Sequence, residues 1–311
     1  MRQAGLDYLH RLGGGCLRLT AGEWTLRNAV HLRPGVDLEG AGGETVLRKC
    51  AGFSSAITRP ADWYETQVEV EDASGFRPGD GVMVWSPSDR GRGGPPVVIK
   101  ESVVGVEDST LRVSRRLDRD AWPAAGATAS LAFPLLTAIG ERGWDGGSGD
   151  AGVRAQVSDV RVSGLVLDGN REQNHDAVSG PAIDGNYAAA VFLQHAHRIR
   201  FDGVTVRRYN GDGFSFQVCD DVQFLNCCAE DCGPVEPDGK AEGVSADRLL
   251  TSLLAGLRVH RSGSLCSASV HRWRCCAPAR LPPWQRLAAP AVCRLRLAAQ
   301  LPRDLLLLGR D

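Results

Sequence analysis

A step of 23 residues runs through the middle of this chain and constrains its fold more than any other feature. Aligning residues 197–206 with 220–229 sets Ile199 over Val222, Phe201 over Phe224, Val204 over Cys227 and Val206 over Ala229. The preceding segment keeps the step, with Val191 over Phe214, Leu193 over Phe216 and Gln194 over Gln217. An earlier copy, 158–167, lies 39 residues before the second, and the 16 extra residues fit a loop spanning Asn170 to Tyr187. Counted from the first apolar residue of each copy (Val160, Ile199 or Val222), apolar residues fall at positions one, three, six and eight, with a small turn residue (Gly164, Gly203 or Asn226) at five. Two short strands with a bend between them bury those four side chains in one interior. A single coil of this kind cannot bury its inner face alone, so coils must stack.

The sequence therefore predicts an all-β chain, a parallel β-helix solenoid with coils of about 23 residues, against a β-sandwich or barrel as the competing architecture. Residues 1–54 read as an N-terminal cap and first coils. Cys16-Leu17-Arg18-Leu19, Glu23-Trp24-Thr25-Leu26, Val36-Asp37-Leu38 and Thr45-Val46-Leu47 are short alternating strands separated by turns. Residues 55–155 read as an inserted small β subdomain, 156–240 as further coils, and 241–311 as an atypical, non-repeat tail.

The 37 Gly and 6% aromatic content suit many short strands joined by tight turns. Net charge is −1, so nothing global favours nucleic acid or an anionic membrane. No apolar run reaches the roughly 18–20 residues of a membrane span. The first ten residues lack the apolar segment of a signal peptide and read as an amphipathic helix, with Leu6, Leu9 and Leu12 on one side and Gly13-Gly14-Gly15 as its stop. The ten Cys have neither disulfide-scaffold nor zinc spacing. One of the adjacent pair Cys227-Cys228 is expected to face the core.

The tail breaks the pattern. Residues 241–311 hold 11 Arg, no Lys, 15 Leu and 11 Ala, with 4 Gly, 4 acids and no Asn. Solenoid corners need Gly, Asn and Asp. Three readings compete: a basic arm for an anionic polymer, a capping helix near 244–258, and a shifted reading frame of a GC-rich gene that replaced the remaining coils, which leads.

Gly13-Gly14-Gly15-Cys16-Leu17-Arg18-Leu19 with Ala21-Gly22-Glu23-Trp24-Thr25-Leu26 resembles the opening coil of the pectate-lyase superfamily, as does Val36-Asp37-Leu38-Glu39-Gly40-Ala41-Gly42. Leu167-Asp168-Gly169-Asn170, Asn186-Tyr187 and Tyr209-Asn210-Gly211-Asp212-Gly213-Phe214 look like bacterial right-handed parallel β-helix repeat proteins of that superfamily. The resemblance covers about residues 1–235. It implies a polysaccharide or oligosaccharide partner, with glycosidic bond cleavage by hydrolysis or lyase chemistry, or a non-catalytic carbohydrate-binding or surface scaffold. It also implies an extracellular setting. Lyases of the superfamily use an Arg or Lys base, for which Arg207 and Arg208 are candidates, and often Ca²⁺ held by carboxylates. No cofactor is expected otherwise. No clear cluster of Asp ligands on successive coils stands out, and the paired-Asp and Gly-His-Gly pattern of polygalacturonases is missing as a set.

Hydrolysis needs two carboxylates, one protonated and one ionised. Asp212, between glycines in Asn210-Gly211-Asp212-Gly213, and Asp168, at a strand end, are the catalytic candidates, although the same residues are ordinary turn formers. In the coil register Asp168 lies beside Arg207 and Asn170 beside Tyr209. Asn170, Tyr187, Arg207, Tyr209 and Asn210 are therefore the candidate substrate-binding residues, against a reading as plain polar surface. Gln194 and Gln217 fit an amide ladder between coils. His195 and His197 read as surface residues.

Nucleotide sequencing across codons 232–245 tests the leading account of the tail. An alternative frame that continues the repeat is expected; the absence of any such frame overturns it.

Overall fold

A computed structural model of the chain describes residues 2–87, 97–139, 141–142, 153–155, 157–174, 189–232, 244–249, 252–255, 258–260 and 273–274. The sequence repeat reappears as strand pairing. Strand Val157–Asp168 runs parallel to Ala196–Arg207 with Val160 beside Ile199 and Leu167 beside Val206. Ala196–Arg207 in turn pairs in parallel with Phe214–Leu225 and Cys228–Glu230, so that Phe201 meets Phe224 and Val206 meets Ala229. Leu38, Val162, Phe201 and Phe224 form one inward column across four coils, and all four are buried. Phe201 and Phe224 stack with centroids 5.1 Å apart and planes 6° from parallel, while Phe214 and Phe216 pack on Phe224.

The bend that lets one strand feed two sides of the coil is local chemistry. Gly164, Gly203 and Asn226 all sit in the left-handed region at φ 60, 63 and 52, where Gly and Asn cost least. Coil stacking at this corner is close: a Cβ on Gly40 would stand 2.3 Å from the carbonyl oxygen of Gly164.

A second wall holds Val30–His31, Leu136–Ile139, Val191–Gln194 and the first half of Phe214–Leu225, again all parallel. Gln194 and Gln217 fall side by side in it; the Gln217 side chain lies outside the described residues. Between the two walls the chain detours through a six-stranded sheet, built of antiparallel pairs from Ser54–Ala56 to Thr128–Ser130. Leu136–Ile139 had been expected within a 55–155 insertion, but it pairs with Val30 and Val191 and belongs to the solenoid. Its apolar Leu136 and Ala138 supply the inward positions of that wall.

The step between stacked partners varies. It is 21 residues for Gly15 beside Val36, 23 for Gly22 beside Thr45 and 30 for Phe214 beside Val244. Interior positions are set by packing, and the connections absorb the differences. Parallel pairing also passes the break expected at 240, because Val244–Leu249, Ser252–Ala255 and Arg258–His260 join Phe214–Leu225 and Cys228–Glu230. Val244, Leu253 and Val259 are ordinary strand formers, so this stretch adds a coil where a non-repeat tail had been expected. Residues 275–311 lie outside the described residues.

The N-terminal helix, Arg2–Arg11, covers the first coil. Leu6 is buried and Leu9 packs against the core, but Leu12 stands in solvent because the helix has already ended. Cys227 faces the interior and Cys228 is half-buried, as alternation requires. Burial pushes the Cys227 thiol up to about 11.

Removing the central ring of the aromatic column tests this architecture. Phe201→Ala is expected to cost about 3–5 kcal/mol, read as a lowered urea midpoint. Ile139→Ala, at an exposed position, should change stability by less than about 0.5 kcal/mol.

Candidate functional site: an arginine-lined row around Asp168

The strand ends of the first wall line up in one row, in which Thr25, Arg48, Asp168, Arg207 and Glu230 are successive register partners. Asp168 is its centre. Its carboxylate has 0% exposure. Oδ2 accepts hydrogen bonds from Arg207 Nε at 2.9 Å and Arg208 Nη2 at 2.5 Å. Oδ1 accepts the Asn170 backbone N–H at 2.9 Å and lies 3.9 Å from Arg48 Nε. Register supplies Arg48 and Arg207. Arg208 joins them because it is left-handed at φ 51, which turns the chain just past the strand. Glu23 pairs with Arg48 at 3.0 Å and Glu172 with Arg208 at 3.4 Å, both nearer solvent.

Burial alone would raise the Asp168 pKa. The hydrogen bonds from Arg208, the Asn170 N–H and Arg207, with the nearby guanidinium charge, outweigh it and hold the carboxyl below the usual carboxylate range. The same contact holds the Arg208 guanidinium more firmly protonated than usual. Asp168 was expected to be catalytic. It is instead a buried, ionised anchor, with no proton to donate and no face open to a ligand. Arg208 is likewise unsuited to act as a base. Among the described residues no group of three or more His, Cys, Asp or Glu could hold a metal ion, and the Asp168 oxygens that a Ca²⁺ site would use are taken by arginines.

Three of the expected sugar-binding residues lie inside the molecule. Asn170, Tyr209 and Asn210 are buried, and each donates a side-chain hydrogen bond to a backbone carbonyl. Tyr209 donates its hydroxyl to the Phe133 carbonyl at 3.0 Å, and Asn210 Nδ2 donates to the Asn174 carbonyl at 2.6 Å. Asn170 Nδ2 donates to the Lys49 carbonyl at 3.1 Å. Asn174 Nδ2 serves the carbonyls of Cys50 and Asn170. Lys49 is also buried; its ammonium donates to the Leu131 carbonyl and to Asn174 Oδ1, and sits 4.9 Å from the Phe133 ring centre. These bonds satisfy carbonyls that a crowded corner hides from water. Gly169 allows that crowding, because a Cβ there would stand 2.4 Å from the Arg208 carbonyl oxygen. A sugar-binding amide and a corner-filling amide use the same donors, so residue type could not separate them.

Asp212 is half-buried in the turn leading into the second wall, and its backbone carbonyl accepts the Ala190 N–H at 2.9 Å. Tyr187 lies outside the described residues. Arg207 is the expected binding residue that reaches solvent, with 39% of its side chain exposed. Of the histidines, His195 is buried at a left-handed corner rather than on the surface. His197 is half-buried, 3.0 Å from Asp220. Arg48 and Lys49 were missed. Extending the row through Thr45-Val46-Leu47-Arg48 over Leu165-Val166-Leu167-Asp168 would have found Arg48.

The wall carries a second arginine set. Arg161 and Arg200 are register partners, and their Nη2 atoms lie 3.2 and 3.3 Å from one oxygen of Asp202. Asp168 thus meets three guanidinium groups and Asp202 two.

No protein-family model and no curated protein matches the chain. Among solved structures it is similar to a proposed glycosyl hydrolase from Parabacteroides merdae, at 12% identity over 89% of this chain and 88% of that one, with a TM-score of 0.47. It is also similar to PfbA, a surface adhesin of Streptococcus pneumoniae, at 14% identity over 86% and 48%, TM-score 0.42. A third is the tailspike gp61 of Pseudomonas phage phi297, at 11% identity over 82% and 44%, TM-score 0.29. The chain spans under half the length of the adhesin and of the tailspike. The parallel β-helix itself stands on the strand pairings above.

Asp168→Asn tests the anchor. Leaving the partly solvated arginines around a neutral amide should lower stability by about 1–3 kcal/mol at neutral pH. The folded-state pKa lies below the ordinary 3.8, so the carboxylate's contribution is complete above the unfolded value and is lost as pH falls through the folded one. The urea midpoints of the two proteins should therefore converge at acid pH. A gap that does not narrow below pH 3.8 would overturn the ionised anchor.

Proposed function

We propose that this chain is a polysaccharide-binding β-helix whose arginine wall takes acidic sugars. The observation that carries the reading is the Arg207 contact. Among the described contacts its guanidinium engages Asp168 through Nε, which sets the planar group and leaves the Nη fork for a ligand. Such a fork grips a carboxylate bidentately. Arg48 and Arg208 are held on the same buried carboxylate at partly exposed positions, where Glu23 and Glu172 balance their charge and leave Arg207 as the guanidinium offered to a ligand. On another row of the wall Arg161 and Arg200 share Asp202 through their Nη2 atoms. Uronate carboxylates on a polymer would meet such groups along the solenoid axis.

Binding without cleavage is favoured over glycosidic hydrolysis or lyase chemistry. Hydrolysis calls for a protonated carboxyl opposite an ionised one, and Asp168 is buried and held ionised. A lyase needs a base; Arg208 is held protonated, and Arg207 is ion-paired through Nε with the Asp168 carboxylate.

Binding of sodium polygalacturonate and alginate, measured by affinity electrophoresis and calorimetry, tests the proposal. Arg207→Ala should weaken binding by about tenfold, in a salt-sensitive manner. Arg207→Lys should recover only part, because the charge returns without the fork. Wild-type affinity in Arg207→Ala, with unchanged thermal stability, would remove the arginine wall from the site. Polymer cleavage that is lost in Asp212→Ala would overturn the non-catalytic reading.

A further inference from the structure

Six large apolar side chains stand in solvent among the described residues: Tyr8, Leu12, Trp63, Tyr64, Val104 and Ile139. Trp63 and Tyr64, at 58% and 60% exposure, are the consecutive pair and both carry rings. They lie in the inserted antiparallel sheet, in the connection between Ser54–Ala56 and Gln67–Glu69. The ring centres are 6.0 Å apart and the planes meet at 77°, so the two rings form an open corner.

The corner is held by its backbone. Ala61 and Ala121 exchange two N–H to carbonyl bonds of 2.9 Å. The Trp63 N–H donates to Oδ1 of Asp120, a buried carboxylate, at 2.9 Å. The Glu65 N–H donates to the Asp62 carbonyl, and the Leu117 N–H to the Glu65 carbonyl. Arg59 pairs with Glu65 at 3.0 Å. A segment fixed this way loses little freedom when a ligand arrives.

The surroundings say what kind of ligand fits. Arg59, Asp62 and Glu65 flank the rings in sequence, so the apolar surface is two rings wide with ionic groups beside it. A stable protein interface needs about 800 Å² from each partner, far more than two side chains offer. A pyranose has the matching chemistry: a flat C–H face for an aromatic ring, and a rim of hydroxyls for charged neighbours.

We propose that Trp63 and Tyr64 are a sugar-stacking platform on the inserted sheet, a second contact for polysaccharide that is separate from the arginine wall. The idea rests on the polysaccharide reading above and differs from it in mechanism, because stacking resists salt whereas contacts between exposed charges are screened.

That difference separates the two in one experiment. Binding to polygalacturonate, alginate, xylan and hydroxyethyl cellulose is measured at about 0.02 M and about 0.5 M NaCl for the full chain, the Trp63→Ala/Tyr64→Ala double variant and Arg207→Ala. Both aromatic side chains are exposed, and thermal unfolding confirms that the variants fold. The double variant is expected to lose about tenfold in affinity at both salt concentrations, including for the neutral polymers, while Arg207→Ala loses affinity for the acidic polymers at low salt alone. Wild-type affinity of the double variant in every condition overturns the platform and leaves the arginine wall standing. A loss confined to the double variant overturns the wall and keeps the platform. No binding by the wild-type chain overturns both. Self-association that disappears in the double variant, with glycan binding unchanged, makes the corner a contact between copies and also overturns the platform.

Discussion

Everything in this molecule depends on inward side chains that have no partner within their own coil. Val162, Phe201 and Phe224 each sit on a short strand that buries nothing by itself. Stacked in parallel they make a continuous column, and the hydrophobic gain accrues only between coils. Parallel pairing follows, because each coil returns to the same register before the next begins. The left-handed corners at Gly164, Gly203 and Asn226 follow too, because an apolar pattern that resumes after the bend needs a turn of fixed shape.

Stacking makes a demand on polar groups as well. Where strands end, carbonyls are carried into a crowded corner away from water. Lys49, Asn170, Asn174, Tyr209 and Asn210 answer that demand from inside by donating to those carbonyls, while Asp168 accepts from the Asn170 N–H and from arginines of neighbouring coils. The charges of Arg48 and Arg207, two coil steps apart, would repel; the Asp168 between them in the same row turns that repulsion into attraction. One ladder position thus serves as structural anchor and as the mount that orients the Arg207 guanidinium.

The inserted antiparallel sheet has its own logic. It leaves the solenoid after Thr45–Lys49 and returns at Leu136–Ile139, so its strands owe nothing to the coil register. Trp63 and Tyr64 lie in one of its connections, outside the coil register. An arginine wall and an aromatic corner complement each other chemically, since one reads charge and the other reads the apolar face of a ring.

Periodicity alone carried the stacking. Ile199 over Val222 and Val160 over Ile199 could be written down before any coordinates, because an interior that must be apolar at four positions per coil leaves its mark on residue type. The pairing of Asp168 with Arg207 came with it, since register holds for outward residues too. What only the folded chain decided was which polar residues face out. Asn170, Tyr209 and Asn210 have the composition of a sugar site, yet they fill a corner, because burial there depends on Phe133, Asn174 and Cys50 arriving from distant parts of the chain. The extra coil beyond residue 240 was hidden for a similar reason: its step of 30 residues departs from the repeat, and strand pairing tolerates a long connection that an alignment at fixed spacing does not.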